Sequence, residues 1–337
     1  FANSFAYPPM GTFWTTRDGR ALGLMTDPMT RSTLVGCVAT LIFLLSIPFF
    51  HSAYLIDVVT EILIYALFAL SLNVIIGYSG NVSFGHAAYF AIGGYTNAIL
   101  LTTYGWSLVP SFVISIVVTI SAAGIVAYFC TRLTDIYFAM LTLAFSMLVW
   151  AIAFKWRSAT GGDDGFVGIL VPDLIGNRNR FYYFTLILVT AAVALLWSIC
   201  HSAFGRTLVA VRENPVRAGF VGINTRLMRW WAFVIAGTFA GLAGAIFGMF
   251  HRGMYVESAF WTQSATVLIM TLLGGMFSFF GPAIGAATLF VLERITNEYT
   301  EYWPTVLGVV LLVILLFLPD GLSGLARRVH AFTKKSR

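Results

Sequence analysis

Hydrophobic positions in this chain fall in long unbroken runs separated by short polar connections. A helix needs about 20 apolar residues to cross the hydrocarbon core of a bilayer. Runs that meet this length, allowing for imprecise ends, lie at 32–50, 55–77, 86–104, 107–130, 136–154, 181–201 and 230–251. A longer stretch follows at 264–296, then a last run at 303–318. The 264–296 stretch is too long for one crossing and carries "LLGG" and "FFGP" near its middle. Proline removes a backbone donor and glycine relaxes the chain, so the pattern predicts two segments broken around Gly281–Pro282. The expected fold is an all-α integral membrane protein with about ten crossings, some of them broken.

Composition fixes the solvent. Of 337 residues, 59% are hydrophobic and 10% charged, and the mean hydropathy is +0.86. A soluble domain is nearer a quarter charged, so lipid must be the main solvent of the outer surface. The net charge of +6 is small for this length and sits mostly in short loops and at the C-terminus, which is an orientation signal rather than a nucleic-acid surface. Cys37, Cys130 and Cys200 lie far apart in or beside apolar runs and read as packing residues.

Orientation follows from the loops. The segment 202–229 holds Arg206, Arg212, Arg217, Arg226 and Arg229 against Glu213, and the tail holds Arg327, Arg328, Lys334, Lys335 and Arg337. Both are predicted cytoplasmic by the positive-inside bias. Counting crossings back places the N-terminal arm (1–31) inside as well, and the 155–180 loop outside. The arm, with Arg17, Asp18, Arg20, Asp27 and Arg31, lacks the short apolar core of a signal peptide. Residues 32–320 form the predicted membrane domain, and 321–337 a basic cytoplasmic tail.

No catalytic set stands out. The five histidines are scattered and form no metal motif, and "IGGYTN" and "TGGDDG" lack the spacing and lysine of a phosphate-binding loop. Asp57, Glu61 and Glu293 fall near predicted helix ends, whereas a proton-coupled carrier usually needs an ionisable group nearer the midplane.

Three stretches carry signals. In "GYSGNVSFGHAAYFAIGGY" (77–95), Gly77, Gly80 and Gly85 let backbone leave the helix. Asn73, Ser79, Asn81, Ser83 and His86 supply polar groups that lipid cannot solvate. This describes either a broken segment beside a polar path or small residues in tight helix packing, with His86 a packing residue. A weak echo joins "IIGYSGNVSFGHAA" (75–88) to "LLGGMFSFFGPAIGA" (272–286), and paired glycine-broken segments often flank a transport path. The second stretch, 204–233, is helix-like, broken by Pro215 and thinned by Gly219 and Gly222. It reads as a short helix shaped to dock in another protein, or as a positive loop that only sets topology. The third, "SATGGDDGF" (158–166), offers Asp163 and Asp164 either to a basic partner or an ammonium-bearing solute, or as a solvated turn. A calcium site would need more oxygen ligands.

Taken together, "LNVIIGYSGNVSFGHAAYFAIGGYT" (72–96), "DIYFAMLTLAFS" with "TGGDDG" behind it (135–165), and "GRTLVAVRENPVRAGFVGIN" (205–224) resemble the LivM-type permease of branched-chain amino acid ABC importers. "IMTLLGGMFSFFGPAIGAA" (269–287) and "FLPDGLSGL" (317–325) extend the resemblance over about 60–325. It implies a bacterial inner-membrane subunit paired with a LivH-type permease, two cytoplasmic ATPases and a periplasmic solute-binding protein. It implies no cofactor in this chain, with ATP and Mg bound by the partner ATPases.

Carried over, the path candidates are Asn73, Ser79, Asn81, Ser83, His86, Tyr95, Thr142, Ser146, Gly274 and Gly275. The coupling element would span Arg212, Glu213, Asn214, Pro215, Arg217, Ala218 and Gly222. Ala218 and Gly222 keep the family's Ala-x-x-x-Gly spacing, while Val216 and Arg217 depart from the residues before it. Asp163 and Asp164 would face the binding protein or the point of substrate admission. The substrate implied is a branched-chain or related hydrophobic amino acid. A urea, amide or aromatic-carboxylate importer and a self-contained secondary transporter or channel are the alternatives.

Overall fold

Polar residues that punctuate the apolar runs start five of the described helices. Ser52, Asn177, Ser202, Asn214 and Asn224 each accept a backbone N–H of the first turn that follows them, satisfying donors that the helix itself cannot. The structure, a computed structural model, describes residues 31–50 and 52–299, with short pieces at 305–306, 308–309, 311–312 and 321–324. The predicted arm apart from Arg31, most of the 303–318 crossing and the tail beyond 324 lie outside the described residues.

Helix α1 is Arg31–Ser46, continued by a 3-10 turn at Ile47–Phe50. Helix α2 is Ala53–Asn73, continued by a π turn at Val74–Tyr78. Then come α3 (His86–Thr102), α4 (Leu108–Cys130), α5 (Asp135–Lys155) and α6 (Arg178–His201). Helices α7 (Ala203–Glu213) and α8 (Pro215–Phe220) fill the basic loop. Helices α9 (Thr225–His251), α10 (Trp261–Gly274) and α11 (Gly281–Tyr299) complete the described bundle. Among the described residues, five helices are long and apolar enough to cross a membrane: α2 with its π turn, α4, α5, α6 and α9.

The predicted 264–296 run is split as expected, but the break occupies 275–280, and Gly281–Pro282 open the next helix. Pro282 sits in the first turn of α11, where its missing N–H costs nothing. A further segment, 255–260, lies between the expected runs at 230–251 and 264–296 and winds through a 3-10 turn at Val256–Ala259. It dips into the bundle, with Val256 and Ala259 buried, and Ser146 Oγ donates to the Ala259 carbonyl at 3.0 Å. Ser146 lies nine residues before the end of α5, about 13 Å along the helix. Irregular backbone at that depth is tolerated because protein rather than lipid surrounds it.

The connections separate into two ends. At one end, β1 (Phe166–Val167) pairs antiparallel with β2 (Gly253–Met254), and Leu170 N–H donates to Thr102 Oγ1. Arg178 meets Asp57 at 3.0 Å there, and Glu61 meets Arg294 at 3.0 Å and His251 at 3.6 Å. These contacts explain why Asp57 and Glu61 are tolerated near the ends of apolar helices. The other end gathers Tyr78–Gly85, the α4–α5 turn, the 202–224 segment and the 275–280 break. Tyr182 OH near the start of α6 donates to the Leu44 carbonyl, so α1 begins at this second, basic end.

Helix α2 is the central post, buried continuously from Leu63 to Ser79 and packed against α6, α9, α10 and α11. Helices α3, α4 and α9 meet through small residues. On α4, Ser111, Ser115, Thr119, Ala123 and Ala127 form a buried i, i+4 stripe, and Ser111, Ser115 and Thr119 return their hydroxyls to carbonyls of their own helix. On α9, Gly237, Gly241, Gly244 and Gly248 continue the contact. A Cβ at Gly241 would strike Thr119, one at Gly244 would strike the Phe90 backbone, and one at Gly93 of α3 would strike the Gly241 backbone. Lipid gives no hydrophobic drive between helices, so close backbone approach supplies the packing.

Candidate translocation and coupling site

The stretch at 77–85 is a true break. Helix α2 widens into the π turn, Gly80 adopts φ +78, and helix resumes at His86. Its polar residues are tied down within the chain. Asn81 Nδ2 donates to Ser79 Oγ at 2.9 Å, and Ser83 Oγ accepts from Gly85 N–H at 3.4 Å. Thr142 Oγ1 accepts from Phe84 N–H at 3.2 Å and donates to the Ala139 carbonyl at 2.8 Å. Ser264 of α10 accepts from Ala87 N–H at 2.8 Å, capping α3 from another helix.

His86 is fully buried. Ser71 Oγ donates its proton to the Phe68 carbonyl at 2.7 Å, so at its 2.7 Å contact with His86 Nε2 the imidazole must be the donor. That assigns the Nε2–H tautomer and leaves Nδ1 without a partner among the described residues. The ring stacks on Phe68 with centroids 5.3 Å apart and 11° between planes.

The second break meets the first. Asn73 Nδ2 donates to the Ser278 carbonyl at 3.3 Å, and a Cβ on Gly77 would collide with the Met276 carbonyl. Gly275 ends α10 at φ +103, and Cβ atoms on Gly274 or Gly285 would strike backbone across the α10–α11 contact. The two stretches that echo each other in sequence are therefore packed together in space. Asn73 Oδ1 and Tyr95 OH are buried without partners among the described residues.

The basic loop joins them. Arg212, in the last turn of α7, donates through Nη1 to the Gly77 carbonyl and sits over the Phe277 ring at 5.3 Å; its Nη2 pairs with Glu213 at 2.7 Å. One side chain thus touches both breaks. Asn214 Oδ1 accepts from Arg217 N–H at 2.9 Å and Pro215 opens α8. Helix α8 is held inward by buried Ala218, while Val216, Phe220 and Val221 are 67%, 87% and 77% exposed. Gly222, at φ +88, reverses the chain toward α9.

At the opposite end, Asp163 and Asp164 are exposed on a 3-10 turn and form no ion pair among the described residues. Gly161, Gly162 and Gly165 all have positive φ, and a Cβ on Gly161 would strike the Gly165 carbonyl, so the glycines are what the turn requires. Thr160 Oγ1 lies within hydrogen-bond reach of the Ala153 and Trp156 carbonyls, at 2.5 and 2.8 Å, fastening the loop to α5.

The candidates therefore form two groups. Asn73, Ser79, Asn81, Ser83, His86, Thr142, Gly274 and Gly275 gather around the two breaks, with Arg212 as their link to the basic loop. Ser146 and Tyr95 lie elsewhere, Ser146 against the 256–260 dip. Sequence reasoning missed the Ser71–His86 bond, the Ser264 cap and the glycine stripe of α9. The stripe was visible as small residues at 237, 241, 244 and 248. No cluster of three or more metal-ligating side chains occurs among the described residues.

A helical bundle with spanning helices, buried irregular segments and an exposed short helix in a basic loop defines a polytopic membrane transport subunit. The family model for the permease component of branched-chain amino acid transport systems matches residues 54–318, and the chain belongs to that family. The chain is 29% identical over 320 residues to the high-affinity branched-chain amino acid transport system permease protein LivM of Escherichia coli K12, covering 86% of this chain and 75% of that one. It is 26% identical over 287 residues to LivH of the same organism, covering 77% and 91%. The probable LivM of Methanocaldococcus jannaschii is 24% identical over 326 residues, covering 79% and 93%. No solved structure matches the chain. As a member of this family the chain is a multi-pass membrane permease subunit, not an enzyme.

Proposed function

We propose that this chain forms half of the translocation path of an ABC importer for branched-chain or related hydrophobic amino acids. Its partners would be a LivH-type permease, two cytoplasmic ATPases that bind ATP and Mg, and a periplasmic binding protein. The full count is about ten crossings, with the 303–318 run returning the chain to the basic end. That end, with Arg132, Arg206, Arg212, Arg217 and Arg226, faces the cytoplasm, and the Asp163–Asp164 turn faces the binding protein.

The observation that carries this reading is Arg212. An exposed helix bearing Val216, Phe220 and Val221 at an aqueous end is a docking surface. Arg212, three residues before that helix begins, holds the Gly77 carbonyl of one break and the Phe277 ring of the other. Movement of a docked ATPase would reach both breaks through one guanidinium. The polar candidates are buried, and all but Tyr95 are hydrogen-bonded within the chain, so they shape the path rather than react. A pathway fed by a binding protein needs no tight site of its own, because tight binding slows release.

In the assembled complex, Phe220→Asp is expected to abolish stimulation of ATP hydrolysis by loaded binding protein, while membrane insertion and association with the second permease persist. Normal stimulation would place the coupling element elsewhere. Isolation of the tagged chain in mild detergent with neither an ATPase nor a second permease would reject the importer reading.

A further inference from the structure

A groove lies on the outer face between the end of α4 and the start of α9. Ser121, Gly124, Ile125 and Phe129 line it from α4 and Trp230 from α9, with a volume of about 520 Å³. It runs from Ser121 to Phe129, about 12 Å along the helix axis. Trp230 Nε1–H donates to the Gly124 carbonyl at 3.0 Å and pins the indole across the two helices. A second depression of about 370 Å³ shares Tyr128 and Trp230 and adds Thr131, Asn224, Arg226 and Leu227.

The mouth is basic. The Arg132 and Arg226 guanidinium carbons lie 4.3 and 5.5 Å from the centroid of the same Tyr128 ring, and Arg226 also donates to the Tyr128 carbonyl at 3.4 Å. Both arginines are exposed, and neither forms an ion pair among the described residues. Asp135, three residues on from Arg132, forms no ion pair with either arginine among the described residues. Asn224 spends its Oδ1 on the Leu227 N–H and keeps its amide protons as donors.

We propose that this groove is a binding site for an anionic phospholipid, with one acyl chain along Ser121–Phe129 and the phosphate between Arg132 and Arg226. The apolar wall of this open groove accepts hydrocarbon. Two exposed guanidiniums held at one tyrosine ring concentrate positive charge at the mouth, which attracts an anionic headgroup. Basic pockets between transmembrane helices recognise such headgroups, and the paired Trp230 and Trp231 mark the interfacial level where they sit. The proposal rests on the permease reading only in requiring that this face meets a bilayer; neither ATPase coupling nor the identity of the solute enters it.

The assembled complex, stripped of lipid and titrated with phosphatidylglycerol or phosphatidylethanolamine, is measured by native mass spectrometry. Wild type is expected to retain phosphatidylglycerol preferentially, and Arg132→Gln with Arg226→Gln to weaken that retention about tenfold, leaving phosphatidylethanolamine unchanged. Ile125→Trp, which fills the groove without touching charge, is expected to weaken both lipids. Equal retention of the two lipids by wild type, or unchanged retention in the double variant, overturns the proposal. So does efficient crosslinking of Ile125→Cys to the second permease, which would show that protein covers the groove. Size-exclusion elution at the wild-type position keeps each variant interpretable.

Discussion

Helices α2 and α5 have the same mean hydropathy, 2.1 over their most apolar windows, yet 78% of that window is buried in α2 and 22% in α5. Hydropathy measures preference for a non-aqueous medium, and lipid and protein interior satisfy it equally. What separates the two helices is packing. Helix α2 presents Tyr65, Phe68, Ser71 and Asn73 around its circumference and finds partners for each on other elements. Helix α5 buries a narrow stripe of Phe138, Thr142, Ser146 and Ala153, and leaves Ile136, Tyr137, Met140, Leu148 and Ile152 exposed. A spanning helix with one thin inner stripe has most of its surface free for lipid or for a second subunit.

This contrast can be broken at graded cost. The largest effect is expected at the layer beside α2: Gly93→Leu drives side-chain atoms into the Gly241 backbone. Overpacking costs about 1–3 kcal/mol where neighbours can shift and more where backbone obstructs, as here, so monodisperse protein should be lost altogether from fluorescence-detected size exclusion. Next, Phe68→Ala removes a fully buried ring that stacks on both His86 and Phe90, at about 3–5 kcal/mol. A large drop in melting temperature in detergent would register it. Ser71→Ala takes away the acceptor of the His86 Nε2–H together with the local bond to the Phe68 carbonyl, at about 1 kcal/mol, a shift of a few degrees. Smallest is Met140→Ala on the open face of α5, within about 0.5 kcal/mol for the isolated subunit. Should it melt as far below wild type as Phe68→Ala, the two helices are not different in kind.

The membrane class and the positions of the helices were legible because apolar length is a property of the local sequence. Expected runs at 107–130 and 136–154 agree with α4 and α5 within a residue. The expected run at 230–251 starts five residues later than α9, because Arg226 and Arg229 read as loop; the Asn224 cap was the missed signal. The break at 77–85 was legible as glycines and polar residues out of place; the second was expected around Gly281–Pro282, just past the 275–280 it occupies. What the breaks touch was not legible, because the contacts join distant positions. Asn73 reaches Ser278, and Arg212 reaches Gly77, and neither separation leaves a local trace. Burial was likewise hidden, since equal hydropathy describes both the centre and the rim.

The crossing of α3 over α9 has a genetic consequence. At Gly93 the obstructing group is the Gly241 backbone, so a side chain added at 93 meets a residue that already has none to lose. Selection for second-site suppressors of a Gly93 substitution should therefore never return a smaller residue at 241. Revertants must come from true reversion, or from changes elsewhere that let one helix slide past the other.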